Sequence, residues 1–258
     1  MNHISFSELK KWHECPFKHK LSYIDGIKGF KGNHYTAFGT AIHDVCENLL
    51  LRPELEDESR LYFDLKFFSQ IELLKEQNIS FDEKMVDEMK QQGSELSVLV
   101  LPAVKEYFTD YEVVSTEEEI YEDVEGYEDK YKFKGFIDLV LKTADGKYHI
   151  IDWKSCTWGW DVKRKFDPMT TYQLTFYKHY FARKHNIDPS NIETHFALLK
   201  RTAKKNRVEF FRVTSGAKKT QNALNLLTKS LHNIARKNFL KNRLSCNRCE
   251  FNKTEHCP

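Results

Sequence analysis

Hydrophobic and polar positions follow two rhythms along this chain. Helical spacing dominates the first part. Ser5 or Ser7 caps a short helix running through Lys11 or Trp12, with Glu8 near its third position. Tyr23 to Thr36 reads as loop, and a helix starts near Ala37 and runs to Leu51, ended by Pro53. Ser59 to Phe108 is mostly helical, with breaks at Asn78-Ile79-Ser80 and near Pro102. Strand patterns follow: Tyr111 to Glu125, closed by a turn at Gly126, then KFKGFIDLVL and YHIIDWKS on either side of a second turn. Thr170 to Lys184 reads as a helix, Glu193 to Arg201 and Arg207 to Val213 as strands, and Lys218 to Phe239 as a helix leading into a cysteine-rich tail. Helices flanking a central sheet predict an α/β or α+β fold. Residues 1–258 read as a single domain, with residues 52–109 a helical insertion or subdomain.

The apolar runs Ile137 to Leu141 and Ile150-Ile151 mark buried strands, yet Asp138, Asp152 and Lys154 sit in them. A buried strand seldom carries two carboxylates and a lysine unless they meet one another or a metal. A three-residue loop of Ala144-Asp145-Gly146, with Gly146 left-handed, joins the strands as a hairpin. Its register sets Asp138 opposite Asp152, with both side chains and that of Lys154 on one face. Carboxylates this close raise each other's pKa unless a cation lies between them. The set is the usual equipment for cutting a phosphodiester bond with a divalent cation. An ion pair on a solvated face is the competing reading, and Trp153 with the isoleucines argues against it.

Composition narrows the class. The 258 residues are 40% hydrophobic and 14% aromatic, which excludes a disordered chain. The net charge of +2 conceals segregation: Glu112 to Asp129 is acidic, whereas Lys200 to Arg243 holds thirteen Lys or Arg and one acid, Glu209. A basic segment beside acidic site residues suits a polyanionic partner, although a solvated helical face has the same pattern. MNHISFSELKKW has no apolar signal core, and no stretch approaches the roughly 18 apolar residues of a membrane span, so a cytoplasmic protein is expected. The six cysteines then read as thiols or metal ligands rather than disulfides.

Further residues extend the candidate chemistry. His43 lies midway along its helix, and imidazole beside carboxylates favours Mn²⁺ over Mg²⁺ more than an all-oxygen site would. Gln173 and Tyr177 share a helix face at i and i+4 and carry groups that hydrogen-bond phosphate or base edges. Glu119 is a further acidic candidate, in competition with Glu117 and Glu118. Cys246, Cys249 and Cys257 form a thiolate set near the C-terminus, and Cys15, in the same Cys-Pro form as Cys257-Pro258, is the best fourth ligand. A [4Fe–4S] cluster is the favoured occupant and Zn²⁺ the alternative, with His256 or His13 in reserve. Either would staple residues 240–258 to the N-terminal region.

Together these residues resemble the PD-(D/E)XK nuclease superfamily, above all its RecB-like branch with an iron–sulfur cluster, which includes CRISPR-associated and AddB-type nucleases. SFSELKKWHECPFKHKLSYI is similar to that branch's N-terminal helix with its first cluster cysteine, Cys15; FGTAIHDVCE to its GxxxH motif, with His43; GFIDLVL to its GxxD motif, with Asp138; IIDWKS to its D-x-K motif, with Asp152 and Lys154; and YQLTFY to its Q-x-x-x-Y motif, with Gln173 and Tyr177. The seven residues between Cys249 and Cys257 are more than that branch leads one to expect.

The resemblance implies a mixed sheet in a restriction-endonuclease-like core. It also implies Mg²⁺ or Mn²⁺ held by His43, Asp138, Asp152 and the carbonyl of Trp153, with Lys154, Gln173 and Tyr177 acting on water and strand. The implied activity is a DNA exonuclease on single strands or duplex ends, in recombination, replication or repair. A helicase or recombination partner and a homo-oligomer are both compatible with it. The other classes are a non-catalytic nucleic-acid-binding module, a partner-dependent CRISPR-type end-trimming subunit and a restriction-type endonuclease.

Overall fold

The computed structural model describes residues 2–258. β1 (Asn2–Ser5) leads directly into α1 (Phe6–Glu14), whose N-terminus Ser5 caps by accepting the Glu8 N–H at 3.1 Å. A short α2 (Pro16–His19) and a π-turn (Lys20–Ile24) extend structure into the start of the segment read as loop. Three long helices follow: α3 (His34–Leu51), α4 (Ser59–Glu76) and α5 (Glu83–Tyr107). The break expected near Pro102 is absent. Proline there forfeits one backbone hydrogen bond, but Leu96, Val100, Leu101 and Val104 around it are buried, and their packing carries the helix through. The break at Asn78 is present, with φ +55 between α4 and α5.

β2 (Tyr111–Asp123), β3 (Tyr131–Thr143) and β4 (Tyr148–Cys156) form a meander; α6 (Val162–Phe166) and α7 (Pro168–His185) cross over to β5 (Ile192–Lys200), and β6 (Val208–Val213) and α8 (Ala217–Ala235) complete the core. The six strands make one mixed sheet. β2 runs antiparallel along nearly all of β3, so β1 and β4 must share the other edge of β3. β1 pairs in parallel with Tyr131–Lys134 and β4 pairs antiparallel with Leu139–Lys142, which leaves residues 135–138 unpaired on that edge. β5 is parallel to β4 and antiparallel to β6. The four-residue β1 was not expected from the sequence: only Ile4 in it is fully buried, too little pattern to register.

Apolar cores lie on both faces, which is why the middle strands are nearly continuous in apolar residues. On one face Leu139, Leu141, Ile151, Trp153, Ala197 and Leu199 pack with α3, α4 and α5 in a single cluster. On the other, Phe133, Ile137, Val140, Ile150, Phe196 and Leu198 pack with α1, α7 and α8. The basic stretch 200–243 does not form one free face, since Lys200 pairs with Glu209, Arg207 with Glu95 and Arg212 with Glu193. Among the described residues no helix is long and apolar enough to cross a membrane.

Candidate active site

The β3–β4 hairpin has the expected register. Gly146 takes φ +82, the Thr143 N–H reaches the Lys147 carbonyl at 3.0 Å, and Leu139 pairs with Ile151 and Leu141 with His149. The ladder ends one pair short of Asp138 and Asp152. In place of a further strand bond, the Trp153 N–H donates to Asp138 Oδ2 at 2.7 Å. β4 thus leaves β3 where the carboxylates begin, and the unpaired edge at 135–138 opens the cleft.

Strict alternation fails at this point. Ile137 belongs to the α7 side of the sheet and Leu139 to the α3 side, although they are two residues apart. β2 reverses in step: Thr116 reaches Glu47 of α3, whereas Glu118 reaches Lys184 and His185 of α7. Between them Glu117 has φ +47, in the left-handed region that non-glycine residues rarely adopt. The paired reversal of β2 and β3 puts Asp138 at the boundary between the two faces, where it meets both β4 and α3.

Asp152 is 1% exposed, and each of its carboxylate oxygens has one partner. Its Oδ1 accepts from Gln173 Nε2 at 2.7 Å, and the same amide lies 3.2 Å from the Tyr177 hydroxyl. Its Oδ2 forms a close ion pair with Lys154 Nζ at 2.5 Å. Tyr177 fits here because residue 135 is glycine: a Cβ would come within 2.8 Å of the Tyr177 ring. His43 Nδ1 lies 3.9 Å from Asp138 Oδ2 across the cleft. All five side chains expected from the sequence therefore gather with His43 at one place, although Gln173 grips Asp152 rather than reaching outward.

The electrostatics are those of a site short of positive charge. Burial, then the Asp152 charge, pushes Asp138 well above the usual carboxylate range. Burial also raises Asp152, against the pull of Lys154. Burial would lower Lys154, but the two carboxylates outweigh it and hold its pKa above the ordinary value. Burial and the nearby Lys154 bring His43 down to about 4, so its imidazole is neutral and able to ligate at neutral pH. Two mutually repelling buried acids, a neutral imidazole and the backbone of Trp153 at the edge where β4 leaves β3 form a donor set that fits Mg²⁺ or Mn²⁺.

The family model of the PD-(D/E)XK nuclease superfamily matches residues 3–256. The chain belongs to that superfamily. Among solved structures it is similar to a "Putative exonuclease" from Eubacterium rectale, at 12% identity and TM-score 0.60, covering 100% of this chain and 90% of that one. It also matches the crystal structure of SSO0001 at 16% identity and TM-score 0.45, covering 97% and 84% of the two chains. No curated protein matches the sequence.

One acid of this PD-(D/E)XK domain, Glu47, escaped the sequence reading, and of the three glutamates weighed on β2 it is Glu117 that faces the site. Glu47, one turn after His43 on α3, lines a cavity of about 450 Å³ with His43 and Glu117. Burial, then Glu47 and Asp152, raises the pKa of Glu117. Glu119 instead pairs with Lys134 at 3.6 Å on the surface, and Glu118 is occupied by Ser115 and Lys184. The i, i+4 spacing of His43 and Glu47 was a usable signal; the choice of Glu117 depends on its reversed backbone and was not legible.

Cys15 and the three C-terminal cysteines lie close together. Cys15, Cys246, Cys249 and Cys257 all line one cavity of about 430 Å³, and all are free thiols. The Asn242 N–H donates to Cys15 Sγ at 3.3 Å, and Glu250 binds Lys18 at 2.9 Å and Lys11 at 3.3 Å, joining the two ends of the PD-(D/E)XK chain. The reserve ligands do not join them: His13 lines a different cavity beside Asp167, and His256 turns to Glu255.

Proposed function

We propose that this protein is a divalent-metal-dependent DNA exonuclease acting on single strands or duplex ends, in recombination, replication or repair. The observation that carries the reading is the convergence of Asp138, Asp152 and Lys154 where β3 and β4 part, with Gln173 fixing Asp152. When bound, Mg²⁺ or Mn²⁺ supplies Lewis acidity toward water and the scissile phosphate. Asp138, Asp152, the neutral His43 and the Trp153 carbonyl would hold the ion. Lys154, kept protonated by its carboxylate neighbours, orients the attacking water and offsets charge building on the phosphate. Gln173 locks the Asp152 rotamer, and Tyr177 locks Gln173.

The surface beside the cleft supports a strand with unpaired bases. Trp158, Val162 and Phe166 are 76%, 71% and 78% exposed, and Lys163, Arg164 and Lys165 lie among them. Arg164 lies close enough to Lys154 for its charge to act on it. Exposed aromatic rings among cations suit base stacking along a single strand. We further assign a [4Fe–4S] cluster, with Zn²⁺ the alternative, to the four-cysteine cavity, in keeping with the RecB-like branch. We treat residues 1–258 as one domain, with α4 and α5 as its helical addition.

The test is a pair of substrates, linear end-labelled DNA and closed circular single-stranded DNA, in Mn²⁺ or Mg²⁺. An exonuclease shortens the first and spares the second; cleavage of the circle overturns the exonuclease reading in favour of an endonuclease.

A further inference from the structure

A second group of metal-binding side chains lies on the other face of β4 and β5, away from Asp152. His149 on β4 is in register with Glu193 on β5, and His195 is two residues further along, beside Ile151. Strand alternation gives these three side chains the α5 side, with Ile151 and Trp153, while Asp152 points to α7. At the end of α5, Phe108 packs edge-on or tilted against both imidazoles, and Tyr107 edge-on against that of His195.

The donor atoms are spaced like ligands. His149 Nδ1 lies 3.2 Å from His195 Nε2, which lies 3.9 Å from Glu193 Oε2, and one donor atom from each residue falls within 4.8 Å of the others. A tetrahedral Zn²⁺ with bonds of about 2.0–2.1 Å separates its ligands by roughly 3.4 Å. Small rotations of Glu193 would close the remaining gap.

The surroundings complete the arrangement. Thr143 Oγ1 lies 3.0 Å from His149 Nε2 and donates to Asp145 Oδ1 at 2.6 Å. That chain fixes the tautomer with a proton on Nε2 and a lone pair on Nδ1, the usual outer support of a metal-bound histidine. Lys147 and Arg212 both approach Glu193 Oε1, at 3.4 and 3.2 Å, and leave Oε2 for an ion. Burial keeps both imidazoles neutral at pH 7, with His195 down to about 3. A cavity of about 490 Å³, lined also by Asp110 and Arg212, gives solvent access for a fourth ligand.

We propose that His149, His195 and Glu193 form a metal site for Zn²⁺ or a similar borderline divalent cation, with water as the fourth ligand. The two-imidazole, one-carboxylate set favours such ions over Mg²⁺ or Ca²⁺. Its protein ligands come from two neighbouring strands, beside a cavity that also holds Asp110 and Arg212. The site ties β4 to β5 and, through Thr143, to the β3–β4 turn that sets the register of Asp138 and Asp152.

The test is location-resolved and needs no activity. Crystals of the full chain soaked in ZnCl₂ are measured above and below the zinc edge. The expected result is an anomalous peak within about 2.2 Å of His149 Nδ1, His195 Nε2 and Glu193 Oε2. In solution, the Zn²⁺ retained after desalting is expected to fall by one equivalent in both His149→Gln and Glu193→Gln, with the cysteine site unaffected. No peak at that position, or unchanged zinc content in folded Glu193→Gln, overturns the proposal and leaves a histidine–histidine hydrogen bond. Glu193 lies at the cavity's edge, so its variant serves if His149→Gln fails to fold. Neither outcome depends on whether the nuclease reading holds.

Discussion

The backbone N–H of Trp153 donates to Asp138 Oδ2 at 2.7 Å, where β3 and β4 stop pairing. The carboxylate stands in for a missing strand carbonyl, so one residue both ends the ladder and supplies the site. Its two jobs are separable. Asp138→Asn keeps an oxygen acceptor for Trp153 and removes the charge; it is expected to abolish cleavage while remaining folded. Asp138→Ala also strands a backbone donor and should be less stable than Asp138→Asn by about 1–3 kcal/mol in urea unfolding.

Metal-free stability should depend on pH with a definite sign. The folded-state pKa of Asp138 lies above its unfolded value, so the native state binds the extra proton between the two. Its contribution is therefore present below the ordinary carboxylate pKa of about 4 and is lost as pH rises through the raised value. In EDTA, wild type should lose stability relative to Asp138→Asn on going from about pH 5 to pH 7.5, and Mn²⁺ should narrow that difference at the higher pH. Urea midpoints for both proteins at both values decide the matter; a gap that does not change with pH would contradict the assignment.

The exposed rings of Trp158 and Phe166 give a prediction about substrate rather than chemistry. Base–aromatic stacking is worth about 1–3 kcal/mol per base, so either ring changed to alanine should weaken single-strand binding about tenfold. Fluorescence anisotropy on single-stranded and blunt duplex DNA would measure it. Equal losses on both would assign the rings to general electrostatic or structural roles.

The cysteine cavity predicts coupling between cluster and fold. Protein purified without oxygen should contain iron and acid-labile sulfide, both lost in Cys249→Ser together with several degrees of thermal stability. Zinc in their place, lost in the same variant, would select the alternative occupant.

Much of this was legible in the sequence because short-range chemistry fixed it. Gly146 permits the turn, the turn sets the register, and the register brings Asp138 beside Asp152. The helix read from Ala37 to Leu51 is present and carries His43, although it begins three residues earlier, at His34, with Asn33 as its cap. What was hidden depends on tertiary context. Pro102 is tolerated because the helix around it is buried, and Glu117 enters the cavity only through a reversed φ opposite Asp138. His149 and His195 come together only through the parallel pairing of β4 and β5, which no local pattern announces.

The central claim is tested most directly by following end-labelled linear single-stranded DNA with purified wild type and Asp152→Asn, in Mn²⁺, Mg²⁺ and EDTA. Asp152→Asn keeps an acceptor for Gln173 and removes the charge that faces Lys154. The account predicts metal-dependent shortening by wild type, none in EDTA, and none by a folded Asp152→Asn. Cleavage that survives EDTA, or that persists at wild-type rate in the variant, would contradict it.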